Sequence, residues 1–536
     1  WSSDVCSSDL TWADTPIQFE WLDAAIHHVV RHHAGVRLHL SRDRYGVRQY
    51  IGKFRRIRIP LYDVSDLPDH VGNAALRRYV QEFATQPFAL FEHDLFRFAF
   101  LKKSATRYGF LMAVHHIAFD GWSASRFFNL IWEAYEQIAS GLLPVIQRDE
   151  VEPFAFVERE KKYLHSNRFV QDEHFWRKQI RTFTSNALEV PTSGQIAGAR
   201  MTRDLTVRDS DKIATYIQQR GISANELFLA AVYLASSRCF NKSQIVFGVP
   251  LFGRAGKEKK AMGFYMNTVP VLIGEPDETT LDQLVEKVRT RLRSSYKHYP
   301  YPTNRLLHLF NNEQDVRNGG TRKLFQIVVN YYNMVPATGT RQFSFENHFI
   351  YAGEQIYPLQ LVLKQWKEDR FTIDADYQTG VFEPGQIHQL LVLLTRALRQ
   401  IIQYPTKRIG EVELLDERIK RKLRDQYNET ATSFPLDVFV TEHLAQIVRT
   451  WPDQIAIADS EHRLTYKEFA DRTDQIAQLL LSRGVGPNKI VAVHIDKSAA
   501  VFIAFWAILK AGGAFLPIDT SYPPERIRYI LEQSRA

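Results

Sequence analysis

The chain is poor in cysteine and contains no long hydrophobic run. Its 536 residues include only two cysteines, Cys6 and Cys239, which is too few for a disulfide framework and typical of a reducing compartment. Cys239 ends an apolar helical stretch, so we expect it to be a small core residue. No apolar stretch approaches the roughly 20 residues that a membrane-spanning helix needs. We therefore predict a cytoplasmic chain without a transmembrane segment.

The chain also lacks a cluster of charge of one sign. Its formal net charge is +8, but Lys and Arg are interspersed with Asp and Glu. No basic helix carries the interleaved aromatic residues of a nucleic-acid interface. Hydrophobic residues at 45% and charged residues at 24% are ordinary for a globular protein. We predict neither a nucleic-acid nor a membrane partner, and a length sufficient for about two to four domains.

Four histidines lie close together near the N-terminus, at His27, His28, His32 and His33. Histidine pairs at helical spacing bind metal in many proteins, but we identify no cysteine or carboxylate set that completes a site here. We interpret these histidines as the surface of an amphipathic helix. We predict that the chain binds no metal and no cofactor.

Two adjacent histidines, His115 and His116, stand between a predicted strand and a predicted helix. The strand is the apolar run at residues 108–114. The helix is indicated by apolar residues at helical spacing after Ser123, which we expect to be its N-cap. The histidines therefore lie at a strand end and its exit loop, where rigid scaffolds commonly present catalytic side chains.

The loop after these histidines has the composition of an acid–base site. A histidine has an ordinary pKa of about 6.5, so it can accept or relay protons near neutral pH. Asp120 can hold the loop by pairing with a cation. Gly121 allows a backbone geometry, or a close approach to substrate, that larger residues block. The alternative is structural, a strand-end histidine satisfied by backbone groups.

Strand and helix patterns alternate along the chain, which indicates an α/β or α+β fold. From about residue 406 to residue 440 the sequence turns polar and charged, so we interpret this stretch as a linker. New strand and helix patterns follow at residues 441–536. Residues 1–10 are rich in Ser and Asp and show neither helical nor strand periodicity. We interpret them as a segment foreign to the native fold.

An ordered series of motifs resembles the condensation domain of nonribosomal peptide synthetases. Residues 115–123 match its active-site motif HHxxxDGWS, and the resemblance covers about residues 21–404. The first of the other motifs has His32 and Ala34 where the family has Arg and Glu. These motifs are His32-His33-Ala34-Gly35-Val36-Arg37, Gly248-Val-Pro-Leu-Phe-Gly-Arg254, Gly263-Phe-Tyr-Met-Asn267-Thr268-Val-Pro270, His298-Tyr-Pro-Tyr-Pro302 and Leu324-Phe-Gln326.

After the linker, the sequence resembles the opening of an adenylation domain. The motifs are at residues 464–468 (LTYKE), 509–519 (LKAGGAFLPID) and 522–526 (YPPER). The phosphate loop that comes next in that family is absent from the sequence. The resemblance therefore implies that ATP and Mg²⁺ belong only to a complete adenylation domain.

The resemblance implies a two-lobed fold similar to chloramphenicol acetyltransferase, followed by the first part of an adenylate-forming domain. The first lobe is expected at residues 11–165, the second at 166–405 and the adenylation part at 441–536. The family's opening motif, expected before Trp21, is missing. An edge element of the first lobe is therefore expected to be lost.

The resemblance also implies a reaction between two phosphopantetheine thioesters, each delivered on a carrier protein. The α-amine of the acceptor attacks the donor thioester and forms a peptide bond. His116 is expected to position that amine with modest help as a base, while His115 supports the loop. The implied partners are the upstream and downstream peptidyl carrier domains and the rest of the adenylation domain.

The remaining site residues are given supporting roles. Asp120 is expected to pair with Arg254 and tie the loop across the seam between the lobes. Trp122 is expected to pack and Ser123 to cap the helix. Asn330 and Tyr331 are expected either to line the substrate tunnel or to pack in the core.

Three other interpretations are weighed against this one. Epimerization and heterocyclization relatives alter the Asp-Gly-Trp-Ser context or replace the histidines with Asp, and neither change is present. A coenzyme A-dependent acyltransferase shares His-x-x-x-Asp-Gly, but residues 374–378 (DADYQ) do not match the late Asp-Phe-Gly-Trp-Gly of the plant enzymes. The non-enzymatic alternative is a truncated or inactive fragment that only docks carrier proteins.

Overall fold

The computed structural model describes residues 6–145, 154–183, 196–254, 256–313, 323–332, 344–367, 370–434 and 437–536. The chain divides into two compact units, Trp1–Glu417 and Arg418–Ala536. The strands of the first unit are β1 (Cys6–Ala13), β2 (Leu38–Asp43), β3 (Gly46–Ile51), β4 (Leu61–Asp63), β5 (Phe96–Lys102), β6 (Tyr108–His115), β7 (Gly198–Asp204), β8 (Gln244–Leu251), β9 (Asn267–Gly274), β10 (Ile327–Tyr332), β11 (Phe345–Ile350), β12 (Leu359–Lys367) and β13 (Arg370–Gln378).

The helices of the first unit alternate with these strands, as the sequence predicts. They are α1 (Phe19–His32), α2 (Asp69–Thr85), α3 (Gly121–Ala139), α4 (Ala155–Leu164), α5 (Asn167–Thr182), α6 (Val207–Arg220), α7 (Ala224–Cys239), α8 (Leu281–Lys297), α9 (Thr303–Glu313) and α10 (Pro384–Gln403).

The first main sheet has five strands in the order β11-β1-β6-β5-β4. One face of β6 packs with α1 and α3, and the other packs with α2. Burial on both faces explains why residues 108–114 form a continuous apolar run rather than an alternating one.

Strand β1 lies inside this sheet, antiparallel to both β6 and β11. Ser8 and Leu10 are buried there. The prediction that residues 1–10 have no regular structure is therefore wrong for residues 6–10, because pairing on both sides provides the backbone partners that periodicity did not reveal. An edge element of the first lobe was expected to be lost here, but β1 occupies an interior position of the sheet, between β6 and β11. Residues 1–5 lie outside the described residues.

The second main sheet has six strands in the order β7-β13-β12-β10-β8-β9. Helices α6, α7, α8 and α10 share its hydrophobic core. Helix α7 is buried on nearly all sides and begins with a capping box, in which Ser223 and Glu226 satisfy each other's backbone N–H groups.

Two sequence boundaries differ from the observed packing. Strand β11 falls within the range expected for the second lobe, but it pairs with β1 in the first sheet. The predicted linker begins at residue 406, yet Ile409, Val412 and Leu414 are buried in the core of the second sheet. Arg238 also donates a hydrogen bond to the carbonyl of Ile409 at 2.9 Å. Because residues 406–440 are polar on average, their composition did not indicate that these three apolar residues are buried.

Two predictions about single side chains are wrong. Cys239 is exposed, because it is the last residue of α7 and lies beyond the buried part of that helix. His27 and His33 are buried rather than part of the helix surface. His27 Nδ1 donates to the carbonyl of Asp23 at 2.8 Å, and Nε2 accepts from the Ile57 N–H at 3.0 Å. Both ring nitrogens of His27 are thus occupied by the fold.

The second unit is built from short two-stranded sheets and helices. Its elements are α11 (Glu417–Arg421, which begins at the last residue of the first unit), α12 (Val440–Thr450), β14 (Ile455–Ala458), β15 (Arg463–Thr465), α13 (Tyr466–Ser482), β16 (Ile490–Val493), α14 (Ala499–Lys510), β17 (Ala514–Pro517) and α15 (Pro524–Ser534). Across the described residues of the whole chain, no helix is both long and apolar enough to cross a membrane.

Candidate active site

A short loop joins the end of β6 at His115 to the start of α3 at Gly121. Asp120 is the N-cap of α3, because its Oδ1 accepts the Ser123 N–H at 2.9 Å. The prediction that Ser123 is the cap is therefore wrong. The helix begins three residues earlier than the apolar pattern indicates, and Ser123 lies in its first turn.

The side chain of His115 is fully buried and holds the loop. Its Nδ1 accepts the N–H of Ile117 at 3.0 Å. Its ring also meets Phe88 edge-on, with ring centroids 5.7 Å apart. Since Nδ1 accepts, the neutral ring carries its proton on Nε2.

His116 has the opposite arrangement and remains partly exposed. Its Nδ1 donates to the carbonyl of Phe119 at 3.2 Å, because a carbonyl oxygen can only accept. The Nε2 lone pair of the neutral ring is therefore not used by this bond. Burial lowers the pKa of His116 below its ordinary 6.5, against the opposing effects of the Phe119 carbonyl and the Asp120 charge. The ring is thus neutral at pH 7.

Asp120 and Arg254 form the ion pair expected from the sequence. Arg254 Nη1 lies 2.5 Å from Asp120 Oδ2, and Nη2 lies 2.9 Å from Oδ1. The exposed fractions of the two side chains are 2% for Arg254 and 0% for Asp120. A bidentate, fully desolvated pair of this kind fixes the relative orientation of its two segments.

Further hydrogen bonds join the first turn of α3 to residues 259–265. Ser123 Oγ donates to the carbonyl of Gly263 at 2.7 Å, and it accepts from the Gly263 N–H and from Arg254 Nη2. Trp122 Nε1 donates to the carbonyl of Lys259 at 2.8 Å. The N–H of Tyr265 donates to Asp120 Oδ2 at 3.0 Å. The loop is therefore held between the two sheets, as the sequence predicts for this seam.

A narrow cavity lies beside α3. Asn330 and Tyr331, on β10, are not among its lining residues. Tyr331 packs against the core of the second sheet, and its hydroxyl lies 3.4 Å from Gln365 Oε1. The next residue, Tyr332, lines the cavity at the end of β10. It was not singled out from the sequence, although it directly follows the two candidates. The lining residues are Asp9, Thr11, Ala124, Ser125, Phe128, Tyr332, Asn347, His348 and Phe349.

Within the part of the chain that the structure describes, no group of three or more His, Cys, Asp or Glu side chains is placed to hold a metal ion. The chemistry of the loop described above is that of a neutral imidazole held beside a buried ion pair.

Comparison with protein families gives two matches. A family model described as "Condensation domain" matches residues 12–424, and one described as "AMP-binding enzyme" matches residues 444–536.

Curated relatives match most of the chain. Surfactin synthase subunit 1 of Bacillus subtilis (strain 168) is 27% identical over 531 residues, which is 97% of this chain and 14% of the relative. Gramicidin S synthase 2 of Brevibacillus brevis is 25% identical over 479 residues, which is 87% of this chain and 10% of the relative. The chain thus spans less than a fifth of the length of these two relatives.

Solved structures share the fold. The starter condensation domain of rhizomide synthetase RzmA matches with a TM-score of 0.64 at 21% identity, over 77% of this chain and 95% of that chain. A four-domain nonribosomal peptide synthetase, holo-AB3403 bound to AMP and glycine, matches with a TM-score of 0.78 at 18% identity, over 100% of this chain and 41% of that chain.

Proposed function

Because the chain belongs to the condensation-domain family, whose model matches residues 12–424, we propose that it forms peptide bonds in nonribosomal peptide synthesis. Its substrates are two aminoacyl or peptidyl thioesters, each carried by the phosphopantetheine arm of a carrier protein. The observation that carries this proposal is the His116 ring, oriented by its hydrogen bond to the Phe119 carbonyl at the seam between the sheets.

The reaction asks little of a base. An α-amine has a pKa of roughly 7.7–8.0, so a fraction is neutral at about pH 7 and already carries a nucleophilic lone pair. Its nitrogen attacks the carbonyl carbon of the donor thioester, a C–N bond forms and the C–S bond breaks. One amine proton leaves in this step, and the departing thiolate accepts a proton to become a thiol.

His116 is suited to positioning the amine during this exchange. Because the Nδ1–H of His116 donates to Phe119, the lone pair of Nε2 can accept a hydrogen bond from an N–H of the amine. This hydrogen bond orients the lone pair of the amine nitrogen toward the thioester. As the C–N bond forms, Nε2 gives modest help as a base while the amine proton moves to the departing sulfur. His115 does not react in this mechanism, because its Nδ1 is occupied by the Ile117 N–H inside the fold.

Four side chains support this arrangement through hydrogen bonds that join the loop and the first turn of α3 to the second sheet: those of Asp120, Trp122, Ser123 and Arg254. Gly121 is the first residue of α3. We propose Tyr332 as a tunnel-lining residue together with the sequence candidate Asn330, whereas Tyr331 takes the alternative role of packing in the core of the second sheet. The proposed partners are upstream and downstream carrier domains and the rest of an adenylation domain, whose match starts at residue 444. ATP and Mg²⁺ would act there, in a cytoplasmic setting that the low cysteine content favours.

The test supplies two separately loaded carrier proteins and follows the acceptor by intact mass spectrometry. The acceptor should gain the mass of the donor acyl group with the parent chain, and the gain should disappear in His116→Ala. His32→Ala is the matched control, because His32 is exposed on α1. Carrier binding without any mass gain, across a broad panel of donors, would contradict the proposal and favour a docking role.

A further inference from the structure

Two sequence motifs without an assigned role meet in the structure. Asn267 belongs to the motif at residues 263–270, and the turn at residues 298–302 is the His-Tyr-Pro-Tyr-Pro motif. The Asn267 amide donates to the carbonyl of Tyr299 at 2.5 Å and to that of Tyr301 at 2.9 Å. The Thr303 hydroxyl donates in turn to Asn267 Oδ1. One side chain therefore fixes the whole turn to the first residue of β9.

Asn267 lies two residues after Tyr265, which contacts the catalytic loop directly. The Tyr265 N–H donates to Asp120 Oδ2 at 3.0 Å. Its ring lies 4.4 Å from the Arg254 guanidinium carbon, a cation–π contact beneath the buried ion pair. A displacement of Asn267, at the start of β9, would therefore shift Tyr265 and change its contacts with both Asp120 and Arg254.

The turn is also tied to the helices on its other side. His298 Nδ1 donates to Asp172 Oδ1 at 2.6 Å, and Asp172 is fully buried in α5. The hydroxyl of Tyr163, in α4, donates to Asp172 Oδ2 at 2.8 Å. Phe156, also in α4, meets the Tyr265 ring edge-on at 4.9 Å.

These contacts close into a ring, which we call the Asn267 brace: Tyr265, Asn267, the turn at 298–302, Asp172, Tyr163 and Phe156. Each link is a hydrogen bond, a ring contact or a short stretch of the chain. We propose that Asn267 is a positioning residue for the amide-forming reaction. It holds the Tyr265 N–H against Asp120, so that the loop keeps the His116 ring in its position and orientation. This inference rests on the proposed function.

The first measurement is independent of catalysis. Hydrogen exchange followed by mass spectrometry should show faster exchange at the Tyr265 amide in Asn267→Ala than in the parent chain. Asn304→Ala is the matched control, because Asn304 is exposed and its side chain accepts a local hydrogen bond from the neighbouring Arg305 N–H at 2.8 Å. Thr303→Val removes one bond to Asn267 and gives a milder variant if Asn267→Ala fails to fold. Unchanged exchange at Tyr265 in a folded variant would overturn the inference, whatever the activity.

The second measurement separates positioning from mere stability. In single turnovers well below the unfolding temperature, Asn267→Ala should lower the rate by about tenfold or more, with unchanged apparent affinity for the acceptor carrier. In an Asp120→Asn background the same substitution should change the rate by less than about twofold, since both act through one contact. Rate losses that multiply in the double variant would overturn the inference. An inactive parent chain with the expected exchange change would instead contradict the proposed function and support the brace.

Discussion

Two neighbouring histidines, His115 and His116, use the same ring atom in opposite ways. Nδ1 of His115 accepts the Ile117 N–H at 3.0 Å, whereas Nδ1 of His116 donates to the Phe119 carbonyl at 3.2 Å. The first ring is committed to the fold, and the second keeps Nε2 available to a substrate. Replacing each residue should therefore have a different outcome.

We expect His115 variants to lose stability and His116 variants to lose activity. His115→Leu leaves the Ile117 N–H without its acceptor inside the protein, which costs about 1–3 kcal/mol. His116→Gln removes the reacting nitrogen from a partly exposed site and should fold like the parent chain. Urea unfolding and single-turnover acyl transfer measure the two effects. A stable, fully active His116→Gln variant would contradict the assignment.

Removal of the Asp120 charge should damage both folding and activity. Asp120→Asn leaves the Arg254 guanidinium buried beside an incomplete partner, and breaking such a pair costs about 3–5 kcal/mol. Glu158→Gln is the control, because Glu158 and Lys161 are both 63% exposed and an ion pair screened by water contributes little to stability. Chemical denaturation compares the two. An Asp120→Asn variant that is as stable and as active as the parent chain would show that the pair does not hold the loop.

Gly253 should tolerate no side chain. A Cβ built there would lie 2.0 Å from the carbonyl oxygen of Tyr265, so Gly253→Ala must push apart the segments that carry Arg254 and Tyr265. The expected result is a destabilised chain with little acyl transfer. Gly385→Ala, in the first turn of α10 with no atom near its Cβ, should be neutral or more stable by up to about 1 kcal/mol. Equal unfolding midpoints for the two variants would contradict this prediction.

The lowered pKa of His116 should make stability depend on pH. Its pKa is lowered in the folded chain, so between that value and about 6.5 the unfolded chain binds more protons. The free energy of unfolding should therefore fall as the pH drops below about 6.5. The same drop should be smaller in His116→Gln, and denaturation at several pH values measures the difference. Parallel curves for the two proteins would show that His116 is not desolvated.

The sequence predicts the parts of this protein that depend on local pattern. The strand before His115 is one example, because a continuous apolar run of that length is typical of a strand buried on both faces. The pairing of Asp120 with Arg254 was predicted from motif order, since the two residues are 134 positions apart. It could not have come from periodicity.

The errors arise where tertiary contacts decide. Residues 6–10 carry no strand pattern, yet pairing with β6 and β11 makes them a strand. Ser123 was predicted as the N-cap, but Asp120 is the N-cap. Both residue types cap helices, and only the backbone geometry distinguishes them. Tyr332 and Asn267, to which we assign proposed roles, could not be singled out from the sequence because their neighbours come from distant segments.

The proposed role of His116 is to position the acceptor amine as a neutral ring, and a pH profile of single-turnover acyl transfer distinguishes this role from that of a base. The rate should rise with the fraction of neutral amine, and its apparent pKa should move when the acceptor is exchanged for one with a more acidic amine. His116→Gln should lower the rate without moving that apparent pKa. An apparent pKa that is the same for both acceptors and disappears in His116→Gln would show that His116 acts as an essential base, and would contradict the claim.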